Sequence, residues 1–220
     1  MKGKENMSEV TSALKDIASD EVERLRVSTA FDDQPSDLAR ERHLRTATTH
    51  VKLSGLWLEF GVSVGTTTTA LAECAAAADT RLHGFDSFEG LPEDWIVSDD
   101  ETWSRGSFSG RPSEVPDNVE LVPGLFQDTL GQFLEMHPGR VAFAHVDCDL
   151  YSSADCVLTE IRDRLEVGTV LVFDELFNYE RFHEHEMRAL VELGQTGVRW
   201  RYLGHVPERF AASLILTEVP

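Results

Sequence analysis

Leu56-Trp57-Leu58-Glu59-Phe60-Gly61-Val62-Ser63-Val64-Gly65 is the stretch on which the architecture turns. Its first half is apolar apart from Glu59 and does not alternate with polar residues, the pattern of a strand covered on both faces. Two glycines four apart follow, and Gly tolerates the left-handed backbone of a tight turn. From Thr66 through the alanine run Ala75 to Ala78 the chain then favours a helix. Strand, glycine turn and helix make the first half of a βαβ unit.

Outward from this unit the alternation repeats. Leu82-His83-Gly84-Phe85-Asp86 reads as a second strand and Val119 to Val122 as a third, followed by a helix from Asp128 to Met136. Val141 to Asp147 is a fourth strand with a helix from Ser153 to Leu165, and Thr169 to Asp174 a fifth with a helix from Glu184 to about Leu193. Val198 to Leu203 and Ala211 to Thr217 close the chain, joined around Pro207 by too few residues for a crossover. The expectation is an α/β fold: a Rossmann-like, doubly wound, mostly parallel seven-stranded sheet with a C-terminal antiparallel hairpin. Residues 1–50 read as a helical arm, polar to about residue 20, amphipathic from Ala18, and broken near Asp33-Gln34-Pro35-Ser36. Residues 51–220 form the main domain, with an insertion at 89–117.

Bulk properties narrow the partners. Lys and Arg number 20 against 39 Asp and Glu, a net charge of −19. Such a surface repels phosphate backbones and anionic headgroups, so neither nucleic acid nor a membrane is expected, and a small molecule is. Cys74, Cys148 and Cys156 are odd in number and lack metal-knuckle spacing, which suits a reducing cytoplasm.

In open α/β sheets, ligands bind beyond the carboxyl ends of the strands. At the first such end, Glu59, Gly61 and Gly65 form an ExGxxxG loop, which lets backbone approach a ligand without the crowded glycines a pyrophosphate requires. At the second, Asp86 followed by Ser87 can hold the two hydroxyls of a ribose, or simply cap a turn. At the third, Gly124 to Asp128 sits where an adenine ring would lie, with Phe126 either packing on that ring or joining the core. Together these point to a phosphate-free nucleoside such as S-adenosylmethionine.

The fourth and fifth ends carry acids. Neighbouring parallel strands lie about 5 Å apart, so Asp147 and Asp174 should converge, raising a pKa or recruiting a divalent cation with Glu175. Asp147 is the candidate general base for a substrate hydroxyl and His145 a second one. Asp149 could cap the next helix. His183-Glu184-His185-Glu186 is read as a solvated first helical turn rather than a metal cluster.

Phe85-Asp86-Ser87-Phe88-Glu89-Gly90-Leu91-Pro92-Glu93-Asp94-Trp95, Gly124 to Leu130, His145 to Ser153, and Phe173-Asp174-Glu175 with Asn178-Tyr179 resemble, in order, successive blocks of the macrocin and mycinamicin (TylF/MycF-related) O-methyltransferase family. The resemblance implies a class I methyltransferase fold, S-adenosylmethionine as donor, and a hydroxyl acceptor on a natural product or sugar. It also implies Mg²⁺ on Asp147, Asp174 and Glu175. The sequence departs from the family's pattern where two aspartates and an aromatic give way to Asp174-Glu175-Leu176. Glu is one methylene longer, so an octahedral Mg²⁺ would need a shifted backbone or a bridging water.

Two other functions compete. Asp147-x-Asp149 resembles the DxD of a metal-dependent glycosyltransferase, but that reading leaves the Glu59–Gly65 loop unexplained. A non-catalytic adenosine-binding protein would not need Asp147 and Asp174. The insertion, with Trp95, Trp103 and Phe108 flanked by Arg105 and Arg111, reads as an acceptor wall, a loop folded on the core, or a homodimer contact.

Overall fold

The computed structural model describes residues 2–31 and 36–220. In chain order, α1 (Lys2–Arg26), β1 (Thr29–Ala30) and α2 (Ser36–Thr48) form the arm. The main domain holds β2 (Leu56–Phe60), α3 (Thr66–Ala77), β3 (Leu82–Asp86), β4 (Trp95–Ile96), β5 (Thr102–Trp103), β6 (Val119–Pro123), α4 (Phe126–Met136) and β7 (Val141–Val146). It continues through α5 (Tyr151–Ile161), β8 (Val170–Phe173), α6 (Glu186–Gln195), β9 (Arg199–Val206) and β10 (Ala211–Glu218). The expected break at Asp33-Gln34-Pro35 lies outside the described residues.

The sheet order is β1-β9-β10-β8-β7-β2-β3-β6. Strands β2, β3, β6, β7 and β8 pair in parallel, and β10 runs antiparallel to both β8 and β9. These are the seven expected strands with their terminal hairpin. An eighth, β1, adds two residues from the arm parallel to β9, Thr29 opposite Gly204 and Ala30 opposite His205. The first helix also begins at Lys2, far earlier than the Ala18 expected from amphipathic spacing.

Every residue of β7 and β8 is buried. Phe60, Phe85, Phe143 and Phe173 are fully buried and fill the central layer; Phe60 and Phe85 stack with centroids 5.1 Å apart. Helices α4, α5 and α6 cover one face, and α2 with α3 the other. From β2 the chain winds outward through β3 and β6, then returns to β7 and β8 on the opposite side. The switch point therefore lies between β2 and β7, where their carboxyl-end loops diverge. Among the described residues no helix is long and apolar enough to cross a membrane.

Candidate active site

Beyond β2, the backbone at Gly61 takes φ +97 and lies against β7's exit. A Cβ at that position would sit 1.7 Å from the carbonyl oxygen of Asp147, so only Gly lets the two loops meet. Ser63, at φ 47, donates its backbone N–H to Asp86 Oδ2 at 2.7 Å, and Phe88 N–H donates to Asp86 Oδ1 at 2.6 Å. The Gly124 N–H bonds the Asp86 carbonyl at 2.9 Å. Asp86 thus ties together the loops after β2, β3 and β6.

Gly61, Ser63, Asp86, Ser87, Gly124 and Phe126 line one cavity of about 710 Å³. Phe126 meets Phe60 edge-on at 5.5 Å, so it is both cavity wall and core margin. Three expected contacts lie off the cavity. Glu59 is fully buried beneath the loop, its Oε1 accepting a hydrogen bond from the Thr67 hydroxyl at 2.7 Å. Gly65 starts α3 with its Cα face toward Pro112, and Asp128 is exposed on α4.

At the far side of the same cavity stand Asp147, Cys148 and Asp149 after β7, and Asp174 and Glu175 after β8. The expected convergence of Asp147 and Asp174 is present, but a side chain from the arm lies between them. Arg40 of α2 donates Nε–H to Asp174 Oδ1 at 2.7 Å and a terminal N–H to Asp147 Oδ2 at 2.6 Å. The same terminal nitrogen is 2.6 Å from Asp174 Oδ2. Burial would raise the Asp174 pKa, but Arg40 and the neighbouring His145 outweigh it and hold the carboxyl at about 2. Burial, and next the charge of Asp174, push Asp147 up to about 6 against the pull of Arg40. Burial and the surrounding carboxylates raise Asp149 and Glu175 well above the usual range.

His145 is fully buried behind this row, Nδ1 3.5 Å from Glu59 Oε1 and Nε2 3.9 Å from Asp174 Oδ1. Burial pulls its pKa down, but the flanking carboxylates win and lift it to about 9. As a substrate-side base it fails twice, having no access to the cavity and already holding a proton at neutral pH.

Glu186 overturns the expectation of a solvated helix start. It is fully buried, and its carboxylate accepts the backbone N–H of Cys148 and of Glu175, each at 3.2 Å. One side chain therefore braces both acid-bearing turns. Asp149 does not cap the following helix: its backbone is left-handed at φ 60, and Leu150 holds the cap position without a side-chain bond. Of the seven described non-Gly residues with positive φ, five line the cavity: Ser63, Phe108, Asp149, Asn178 and Phe210. Such strain gathers where surrounding structure enforces it, most often at functional sites.

The insertion forms one wall of the cavity. Its β4–β5 hairpin places Trp95 opposite Trp103, and Phe108 lies 4.9 Å from Trp103 and 6.5 Å from Trp95, all three lining the space. Tyr179 joins them edge-on to Trp95 at 6.0 Å. Arg111 lies instead over Phe88, 4.9 Å from the ring centroid.

A divalent ion on Asp147, Asp174 and Glu175 would need their oxygens at about 2.0–2.1 Å for Mg²⁺. Both Asp174 oxygens and one Asp147 oxygen already face the Arg40 guanidinium. Glu175 groups with Asp147 and Asp149, ligand atoms within 4.8 Å, and its side chain also hydrogen-bonds Asp174. With Arg40 seated across Asp147 and Asp174, the trio as arranged does not fit the ion.

The model of a methyltransferase domain matches residues 58–176. The chain belongs to the methyltransferase domain family. The matched region runs from within β2 to just past Glu175, so it contains the Gly61 loop, Asp86 and both acid-bearing turns. A Streptomyces olivaceus protein, 8-demethyl-8-(2,3-dimethoxy-alpha-L-rhamnosyl)-tetracenomycin-C 4'-O-methyltransferase, is 28% identical over 147 residues, covering 56% of this chain. That match spans only 55% of the tetracenomycin protein's length. Among solved structures, CalS11, a calicheamicin methyltransferase, shares the fold with a TM-score of 0.66 at 23% identity, covering 94% of this chain and 91% of CalS11. The O-methyltransferase NovP does so at 0.61 and 20%, covering 81% and 80%.

Proposed function

We propose that this protein uses S-adenosylmethionine to methylate a hydroxyl on the sugar of a glycosylated natural product. One observation carries the reading: a single cavity joins the Asp86-braced glycine loops to Asp147, under an aromatic roof. The donor fits the first half. A carboxylate offers about four lone-pair directions, and backbone amides take two of Asp86's, leaving two for ribose hydroxyls. Gly124, at φ +137, and Phe126 border the place of the adenine. Bound there, S-adenosylmethionine supplies an activated methyl group to a nucleophilic oxygen.

The chain's own residues do the rest. Asp147, with a pKa near 6, takes the proton of the acceptor hydroxyl as its oxygen is alkylated, and passes it to solvent. Arg40 grips one Asp147 oxygen and fixes the carboxylate's direction. Trp95, Trp103 and Phe108 offer flat apolar faces to a ring and exclude water, and holding oxygen and methyl carbon in line supplies much of the rate. Seven carboxylates line the cavity against two arginines, so a neutral or cationic acceptor is favoured over one bearing phosphates. The tetracenomycin relative, by its name a 4'-O-methyltransferase of a rhamnosyl compound, supports a sugar hydroxyl. The four sequence blocks support a place beside the macrocin and mycinamicin enzymes.

Calorimetry with S-adenosylhomocysteine, then labelled methyl transfer to a panel of neutral glycosides, tests this. S-adenosylhomocysteine should bind while a UDP-sugar and NAD do not. Binding of UDP-sugar alone would move the protein to the glycosyltransferases.

A further inference from the structure

We infer that Arg40 is a built-in cation that stands in for a divalent metal ion at this acid row. The inference rests on the methyltransferase reading and concerns how that reaction is run. Two carboxylates that converge behind a sheet edge need a positive partner, because burying like charges together is costly. Here the partner is covalently part of the chain. Arg40 reaches Asp174 with two nitrogens and Asp147 with one of the same two, all at 2.6–2.7 Å. Its side chain is only 17% exposed and lines the cavity itself.

A guanidinium fits this task by shape. Its planar fork spans two carboxylates at once, and it keeps its charge under all working conditions. A metal entering the same seat would have to displace it or stand beside a fixed positive charge. Arg40 also explains how Glu175 is tolerated where the resembling family has a second aspartate. With the bridging role filled from α2, that position is released from metal geometry, and Glu175 packs among Asp147, Asp149 and Asp174. Arg40 is a positioning residue in this scheme: it acts on the reaction through Asp147.

The test begins with wild-type protein and Mn²⁺ followed by electron paramagnetic resonance, with and without S-adenosylhomocysteine. No saturable Mn²⁺ site at micromolar concentrations is expected, and chelation should leave turnover within about twofold. Arg40→Ala should lose about tenfold or more in turnover, because Asp147 loses the group that fixes its direction. It should also acquire a Mn²⁺ site and recover part of its activity with Mg²⁺ or with free guanidinium, which a merely structural loss would not show. Arg40→Lys, which keeps a charge but not the fork, should stay metal-independent, and it replaces the alanine variant if that one fails to fold. A micromolar Mn²⁺ site in the wild type together with loss of activity on chelation would overturn the inference, as would full metal-free turnover by Arg40→Ala. S-adenosylhomocysteine binding by the same wild-type sample keeps the outcomes apart. If it binds and the metal also binds, only the role of Arg40 falls; if it does not bind, the methyltransferase reading itself falls.

Discussion

Replacing Glu186 should loosen both acid-bearing turns at once, although the residue never reaches the cavity. Its side chain accepts the Cys148 and Glu175 amides, each at 3.2 Å, in a fully buried setting. A buried amide left unpaired costs about 1–3 kcal/mol, so Glu186→Ala starts from a loss of about 2–6 kcal/mol. Some of this is offset. Burial, and then Asp149 and Asp147, hold the Glu186 pKa well above the ordinary value, so the carboxylate is repelled by its neighbours and its removal relieves them. The net loss expected is about 2–4 kcal/mol, a melting point lower by about 4–16 °C for a domain of this size. Glu186→Gln is not conservative here. One oxygen still accepts, but the new NH₂ faces an N–H donor, so about half of the alanine loss should appear. Urea unfolding followed by circular dichroism should rank wild type above Gln and Gln above Ala, with S-adenosylhomocysteine affinity falling in the same order. An alanine variant with the wild-type urea midpoint and melting point would refute the bracing role.

The raised Asp147 pKa places its basic form above pH 6, so kcat/KM should fall as pH drops through about 6. Asp147→Asn should remove that limb and reduce turnover by about 10²–10⁴ while sparing S-adenosylhomocysteine affinity; a variant with an unchanged pH–rate profile excludes this base. Gly61→Ala drives a Cβ to 1.7 Å from the Asp147 carbonyl, and a scanning-calorimetry melt close to wild type would contradict that packing. His145 has its pKa raised from 6.5 to about 9 in the fold. Its contribution to stability is therefore complete below pH 6.5 and lost as pH climbs through 9. The stability gap between wild type and His145→Gln in urea should narrow across that window, and a gap that widens there would invert the assignment.

The sheet was legible because its strands are long unbroken apolar runs. Thr169 to Phe173 can hardly be anything else, and strand ends then pick out Gly61, Asp86, Asp147 and Asp174. What escaped reading shares a physical cause. Arg40 lies in Arg40-Glu41-Arg42-His43-Leu44-Arg45, where alternating charges look like a solvated helix face, and its partners are more than a hundred positions away. Glu186 is hidden in a His-Glu-His-Glu run for the same reason, since burial of a lone acid is decided by tertiary packing. Strand β1 makes two residue pairs and leaves no periodicity to detect. Glu59 and His145 carried a true signal, acids and imidazole at strand ends, but the period-two pleat turns both under the sheet edge instead of into the cavity.

The arm also bears on self-association. Strand β9 would otherwise be the terminal rung of the ladder, eight residues long, with main-chain groups open to pairing with a neighbouring molecule. Two stretches of that rung are screened from within: β1 pairs at Gly204 and His205, and Arg24 of α1 donates to the Trp200 carbonyl at 2.9 Å. The same arm that delivers a charge to the acid row thereby blunts a sticky border, tying colloidal behaviour and site electrostatics to one element.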